Sequence, residues 1–578
     1  MFTKLLIANR GEIAVRVIRA CRDLGISPVA VYSELDADAF HVELADDAYN
    51  IGPGPAFASY LDIASVIEAA RRSGAQAVHP GYGFLAENAE FALAVTNAGM
   101  AWVGPEASVI AAMGDKTSAR RAAAEAGVES VPGTLEPVRQ DSEVEAFCNQ
   151  HGFPIAIKAA AGGGGKGFRV VRSTRDITEA VAGAAREAKA YFSSADVYIE
   201  RYLERPRHIE VQVLGDASGA ILSFPERDCS LQRRHQKLLE ESPSPALEDE
   251  VRQAIMKAAT KVSKQVGYRN AGTCEFLLDR DGKTFYFLEM NTRLQVEHPV
   301  TELVCGIDLV TAQILVAAGE PLGFGQDDIA LSGHAIECRI NAEDPALNFM
   351  PAPGVISSYR EPGGPGIRVD SGARAGAAVP GAYDPLIAKL IAHGPTRSQA
   401  IARLSRAVNE FHIGGIKTTL AWHRLALTDE RFLTGDYDTA TVEHDMELGA
   451  PSLVDSTGGE LDGPLVRRFG VEIDGKRFSV VARERSSGDG RLSKRPRPQT
   501  GGHVGSHASD VLKAPMQGTI IKLLVAAGDE VKAGEAVCLL EAMKMENSIL
   551  THRDGIVGEL RVAEGQSVQP GAVIAVIT

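Results

Sequence analysis

The chain has 578 residues, 45% hydrophobic and 23% charged, enough for three or more domains with cores of their own. Lys and Arg total 60 against 75 Asp and Glu, and the formal net charge of −15 argues against a nucleic-acid or anionic-membrane partner. No stretch approaches the roughly 20 apolar residues of a membrane span. The seven cysteines (21, 148, 229, 274, 305, 338 and 538) include no C-x-x-C pair, which fits reduced thiols in a cytoplasm.

Met1–Ala8 resembles the start of a signal peptide, but Asn9-Arg10-Gly11-Glu12 ends the apolar run too early, so it reads as a buried strand before a helix. Up to about residue 112, short apolar strands alternate with helical stretches (Lys4–Ala8, Ile13–Leu24, Val29–Val31, Leu61–Ser73, Ala77–His79). That is the pattern of a parallel sheet with crossover helices. His79-Pro80-Gly81-Tyr82-Gly83 follows the third clear strand, at a carboxyl end where such sheets place ligands.

A second block opens at Gly114-Asp115-Lys116 with an alanine-rich helix to about Ala126. Phe153–Lys158 then reads as a strand, Gly162–Gly167 as a glycine loop and Phe168–Val171 as the next strand. Consecutive glycines let backbone N–H groups close around phosphate oxygens. A dinucleotide fingerprint would need a helix next, and Walker A fails because Gly167 holds its Ser/Thr position and Ala160 that of its first glycine. A protein kinase is excluded because His552-Arg553-Asp554 lies in a C-terminal repeat, with Glu559 where a metal-binding Asn is needed.

If Leu288–Val296 is extended, alternation puts Leu288, Met290, Thr292, Leu294 and Val296 on one face and Glu289, Asn291, Arg293, Gln295 and Glu297 on the other. A three-residue turn at Asp281–Lys283 would set Glu275 directly opposite Glu289. Facing carboxylates repel unless a cation lies between them, and two carboxylates with an amide oxygen suit Mg²⁺. Beside a phosphate loop and a metal site, the basic run Gln232–Lys237 becomes a candidate anion site. Cys229 shows no activating partner in the sequence and reads as structural.

Beyond Glu443, Phe469–Val481 contains a hairpin around Asp474-Gly475, and Ser486–Ser509, rich in Gly, Ser, Pro and basic residues, reads as a mobile linker. The last seventy residues repeat internally: Gly518, Leu523, Val525, Gly528, Val531, Gly534 and Leu540 recur at an offset of 37 as Gly555, Leu560, Val562, Gly565, Val568, Gly571 and Ile577. Each half reads as short strands turning at glycines, with Lys544 at the tip of the hairpin joining them. Its flanking methionines leave flexible apolar groups in water, a surface for another protein to read.

Ala542-Met543-Lys544-Met545 in a two-half β domain resembles the biotin attachment site of biotin carboxyl carrier domains; lipoyl domains usually carry Asp-Lys-Ala there. From Ala8-Asn9-Arg10-Gly11-Glu12 to about residue 445 the chain resembles the biotin carboxylase family of ATP-grasp enzymes. The resemblance implies an α/β and α+β multidomain chain: a parallel-sheet N-terminal domain (1–112), an ATP-grasp domain with a glycine lid (113–330) and a C-terminal carboxylase domain (331–445). A hairpin and linker (446–508) and an all-β biotinyl carrier domain (509–578) follow.

It further implies that Lys116, Lys158 and the loop containing Gly163, Gly164 and Gly165 hold ATP phosphates. Glu200, Arg201 and Leu203 would meet adenine, and His208, Gln232 and His235 the ribose and phosphates. Glu275, Glu289 and Asn291 would bind Mg²⁺ or Mn²⁺. Lys237, Arg293, Gln295 and Val296 would form the bicarbonate site, Glu297 would be its general base, Arg339 would face biotin, and Lys544 would carry biotin. The implied partners are a biotin protein ligase, a separate carboxyltransferase β subunit, since the sequence ends in the carrier's last strand, and further copies of the chain. The whole reads as a cytoplasmic α subunit of an acyl-CoA carboxylase, with the α-type subunit of a two-chain pyruvate carboxylase, or a carrier with an inactive ATP-grasp domain, as alternatives.

Overall fold

The computed structural model describes residues 1–134, 136–138, 140–159, 169–192, 196–216, 218–448, 466–473, 476–483, 511–514, 518–542, 545–568 and 571–577. The glycine loop with Gly163, Gly164 and Gly165, the linker Ser486–Ser509 and Lys544 lie outside the described residues.

The N-terminal sheet is parallel in the order Asp47–Asn50, Ser27–Tyr32, Lys4–Ile7, Ala77–His79, Ala101–Trp102. Helices cover both faces, so the central strands are apolar throughout, and Leu5, Leu6, Ile7, Val29, Ala30 and Val31 are fully buried. Asp47–Asn50 escapes a sequence reading because only Ala48 and Tyr49 are buried in it, so His79 ends the fourth strand and not the third. The strand order reverses between Lys4–Ile7 and Ala77–His79, and there Asn9 Nδ2 donates to the carbonyls of Pro80 (2.7 Å) and Tyr82 (2.8 Å). The two loops of the ligand-binding end are thus tied together. The hairpin Val466–Ile473 and Lys476–Arg483 extends the same sheet, with Lys476 antiparallel to Tyr49.

The second sheet runs Phe285–Asn291, Asn270–Leu278, Arg207–Gly215, Arg227–Arg233, Gln236–Ser242, His334–Asn341, Leu386–Gly394, Ile367–Ser371, with Ile221–Ser223 beside Arg207–Gly215. It is antiparallel throughout and passes without a break from the ATP-grasp segment to the C-terminal segment, because Leu239–Ser242 pairs with Ala335–Cys338. A separate three-stranded sheet, Arg169–Val171, Ile155–Ala159 and Val197–Arg201, packs its own small core of Val138, Val144, Ile155, Ile157 and Ile199.

In the C-terminal domain the 37-residue repeat becomes two four-stranded sheets. One is Met545–Leu550, Ala536–Ala542, Gly518–Leu523, Ser567–Val568; the other is Val511–Lys513, Val573–Ile577, Gly555–Leu560, Glu530–Val531. Each sheet takes its two inner strands from one half of the repeat and its two outer strands from the other, so the halves interlock. In the first sheet Ala536–Ala542 and Met545–Leu550 are antiparallel neighbours, with Ala542 opposite Met545.

Candidate active site

Three strands of the second sheet and the segment leaving a fourth converge on Lys237. Arg207–Gly215 presents His208, Glu210 and Gln212 at alternate positions, all buried. Lys237 Nζ donates to Glu210 Oε2 (2.6 Å), Glu297 Oε1 (2.6 Å) and Glu275 Oε1 (3.2 Å). Glu297 Oε2 accepts from Arg339 Nη2 (2.8 Å), and Arg339 Nε donates to Glu240 Oε1 (2.5 Å). Behind Glu210, the fully buried Arg227 donates to it (2.5 Å) and to Gln212, Thr301 and Thr273 (2.9–3.2 Å).

Glu275 and Glu289 do stand opposite each other, but by a different route from the one expected. The connection is six residues, Asp279–Thr284, closed by Asp279 N donating to Thr284 O (2.8 Å), which alone would offset the register by one. A bulge at Leu288 restores it, since Phe276 faces Phe287 while Glu275 faces Glu289. Leu288 is therefore exposed and not on the buried face. The strand also ends at Asn291, so the alternation expected through Val296 stops there: Thr292–Glu297 is a turn leading into the helix His298–Cys305.

That turn gathers its polar groups by hydrogen bonds. Asn291 Nδ2 (2.8 Å) and Gln295 Nε2 (3.0 Å) donate to Glu275 Oε1, and His208 Nε2 meets Glu275 Oε2 at 2.8 Å. Arg293 spans Glu87 (2.8 Å), Gln295 (2.9 Å) and Asn291 Oδ1 (3.0 Å). Val296 contributes its carbonyl, which accepts from Lys389 Nζ (2.8 Å).

Across from this network, Lys158 and Glu200 pair, and Arg201 donates to Tyr286 Oη (2.9 Å) and Asp279 Oδ2 (3.1 Å). Leu203 is buried with Val131 and Tyr286. Gln232–Lys237 is a two-residue hairpin: Gln232 pairs with Lys237, and Arg234 and His235 form its tip with φ of 47° and 62°. Gln232 is buried, while His235 and Lys116, the first residue of the helix Lys116–Glu125, are exposed. Lys116, Gln232 and His235 make no side-chain hydrogen bond into the network among the described residues. Sequence reasoning does not reach Glu210, Arg227, Glu240, Glu87 or Lys389. The His208-x-Glu210-x-Gln212 alternation is the available signal for the first of them.

The chain is similar to known proteins along nearly its whole length. Residues 1–110 match the family described as biotin carboxylase, N-terminal domain; 115–324 the carbamoyl-phosphate synthase L chain ATP-binding domain; 337–444 the biotin carboxylase C-terminal domain; and 510–577 the biotin-requiring enzyme family. A biotin-dependent acyl-coenzyme A carboxylase alpha3 subunit from Mycobacterium leprae is 47% identical over 99% of this chain and 98% of its own. The chain belongs to the biotin carboxylase family. A pyruvate carboxylase subunit from Methanothermobacter thermautotrophicus is 50% identical over 77% of this chain and 90% of its own. The solved biotin carboxylase domain of Hydrogenobacter thermophilus 2-oxoglutarate carboxylase, in complex with MgADP, ADP and bicarbonate, is 44% identical with a TM-score of 0.72, covering 78% of this chain and all of that one.

In this biotin carboxylase the buried charges set one another. Burial pushes the Glu297 carboxyl up, but Lys237, Arg339 and Arg227 outweigh it and hold it well below the usual carboxylate range. Burial disfavours the Lys237 ammonium, yet Glu210, Glu275 and Glu297 raise it well above an ordinary lysine. Glu289 is pushed upward, by burial first and then by Glu275 opposite it. The Glu275 and Glu289 carboxylates and the Asn291 amide oxygen offer the hard oxygen donors that Mg²⁺ takes.

Proposed function

We propose that this chain carboxylates biotin carried on its own Lys544, at the expense of ATP and with bicarbonate as the carbon source, and serves as the α subunit of an acyl-CoA carboxylase. The observation that carries the reading is Glu297 gripped between Lys237 and Arg339, a carboxylate beside two cations that an incoming bicarbonate can share.

Bicarbonate is a poor nucleophile, and a carboxylate placed to take its proton lets it attack the γ-phosphorus of ATP. Glu297 as it stands is a weak base because both cations hold it down. When bicarbonate draws Lys237 and Arg339 onto its own oxygens, Glu297 loses part of that stabilisation and its basicity rises at the moment a proton is to be taken. Arg293, fixed by Glu87, and Gln295, fixed on Glu275, present a preorganised wall to the anion. Lys116, Lys158, His208, Gln232, His235, Glu200, Arg201 and Leu203, with the loop of Gly163, Gly164 and Gly165, hold the nucleotide. Glu275, Glu289 and Asn291 hold Mg²⁺, which when bound offsets charge on the transferring phosphoryl group. Biotin supplies the nitrogen that accepts the carboxyl group, and Arg339 orients it.

The full-length match to an acyl-CoA carboxylase α subunit, carrier region included, favours that assignment over a two-chain pyruvate carboxylase, whose Methanothermobacter representative aligns with only 77% of the chain. The reading brings with it a carboxyltransferase β subunit, a biotin protein ligase acting on Lys544, self-association of the carboxylase region, and a cytoplasmic setting. The test is bicarbonate-dependent ADP release by the full chain with free biotin. Activity lost in Glu297→Ala and kept in Lys544→Ala supports the reading; an inactive unmutated chain counts against it.

A further inference from the structure

A lysine outside the expected site sits directly beneath it. Lys389, on Leu386–Gly394, is fully buried, yet among the described residues its Nζ makes a single hydrogen bond of normal geometry, 2.8 Å to the carbonyl of Val296. Its charge partners are Glu12 Oε2 at 3.2 Å and Asp370 Oδ2 at 3.8 Å, and the ring of Tyr82 lies 5.8 Å away. Burying an ammonium is costly unless it is paired, so one that aims its hydrogen at a backbone carbonyl marks that carbonyl as a point worth fixing.

The sheet explains how Lys389 reaches it. Arg339, Lys389 and Asp370 are register partners on three neighbouring strands, so they form one row across the sheet. Arg339 grips the side chain of Glu297, while its neighbour Lys389 grips the peptide oxygen immediately before Glu297. Behind them, Asp370 is clamped by Arg368 through two hydrogen bonds of 2.9 and 2.7 Å, and Arg368 also donates to Glu302 (2.7 Å) on the helix that follows Glu297. From the other side His298 Nδ1 meets the Gln295 carbonyl at 2.8 Å; burial holds His298 neutral, so this nitrogen carries the hydrogen.

Glu12 belongs to the N-terminal domain, near the start of the helix Gly11–Asp23. Gly372 allows the C-terminal segment to approach it, since a Cβ there would lie 2.5 Å from the Glu12 nitrogen. Among the described residues both Glu12 oxygens are buried without a hydrogen-bond donor of good geometry, and Lys389 Nζ at 3.2 Å is the cation that offsets their charge.

We infer that Lys389 is a positioning residue for the carboxylation reaction: held by Glu12 and Asp370, it fixes the Val296–Glu297 peptide and so aims the base at bicarbonate. This rests on the assignment of Glu297 as the base. The partners of Lys389 are Val296, Glu12, Asp370 and Tyr82, none of them assigned to the nucleotide, so MgATP binding is expected to be independent of it.

The test uses the full biotinylated chain, with bicarbonate-dependent ADP release measured against bicarbonate, against MgATP and against pH. Lys389→Met is expected to lower kcat/KM for bicarbonate by about ten- to a hundredfold, the range one charge-assisted hydrogen bond carries. KM for MgATP should move less than about twofold, and Lys389→Arg should recover part of the loss. If Lys389→Met does not fold, Glu12→Gln and Asp370→Asn, which keep the lysine and release one anchor each, should show the same split at smaller size. Unchanged bicarbonate kinetics, or bicarbonate and MgATP parameters falling together with thermal stability, overturns the inference. An unmutated chain that releases no ADP overturns the assignment of the base beneath it.

Discussion

Arg227→Met isolates the buried electrostatics from the chemistry. Arg227 is fully enclosed, pairs with the equally enclosed Glu210, and donates three further hydrogen bonds to Gln212, Thr301 and Thr273. Removing one partner of a buried pair leaves an uncompensated charge and costs about 3–5 kcal/mol. Lys237 still contacts Glu210 at 2.6 Å, which places the expected loss toward the lower end, about 3 kcal/mol or two powers of ten in the folded ratio. The assay is urea unfolding of the full chain followed by tryptophan fluorescence, because both tryptophans, Trp102 and Trp422, lie in the carboxylase region. Arg406→Met is the control: its pair with Glu410 is half exposed on one helix and contributes about 0.3–0.5 kcal/mol. If the two variants unfold at the same urea concentration, the buried network around Glu210 does not stabilise the fold through its ion pairs.

Other outcomes follow from the same geometry. Thermal stabilisation by MgATP should be large in the unmutated chain and several-fold smaller in apparent affinity for Glu289→Gln, read by a Tm titration with Mg²⁺ and again with ATP in EDTA; equal Mg²⁺ dependence in both proteins refutes the facing-carboxylate site. Glu241 is pushed up by burial, but His334 and Arg397 bring its carboxyl down to about 2 from 4.5. A depressed carboxylate stabilises the fold above its unfolded pKa and loses that contribution as pH falls, so stability should drop by about 3 kcal/mol between about pH 4.5 and 2. Subtracting the stability curve of Glu241→Gln over that window checks the sign. Six of the seven cysteines are buried and Cys305 is half-buried, so a thiol reagent should modify the native chain slowly and all seven only after denaturation.

Much of this architecture is legible in the residues because it is written in period and repeat. The parallel sheet shows as apolar runs, and the carrier shows as a constant 37-residue offset whose copies form the equivalent strands of two sheets. The facing positions of Glu275 and Glu289 are reached from the sequence by the wrong path, because a bulge at Leu288 leaves no residue signature and compensates a turn three residues longer than expected. Arg227, Glu240 and Lys389 escape it because their meaning lies in partners distant in sequence, such as Glu210 for Arg227, Arg339 for Glu240 and Val296 for Lys389, which only the fold brings near. Glu12 and Val296 meet through Lys389 although 284 residues separate them, and no local pattern records that.

The hairpin Val466–Arg483 relocates the anchor of the carrier. Because Lys476 joins the edge strand Asp47–Asn50, the chain leaves the carboxylase from the N-terminal sheet and not from the helix Thr441–His444 where the C-terminal segment closes. Arg483 and the carrier's first described strand at Val511 are then separated by 27 residues, a distance of at most about 90–97 Å. On the proposed assignment, a biotin on Lys544 can serve only what lies within reach of that sheet edge. A change that frees the hairpin would lengthen that connection by nearly forty residues and, on the proposed assignment of Lys544, lower the carrier's effective concentration at the carboxylase site without touching the site itself.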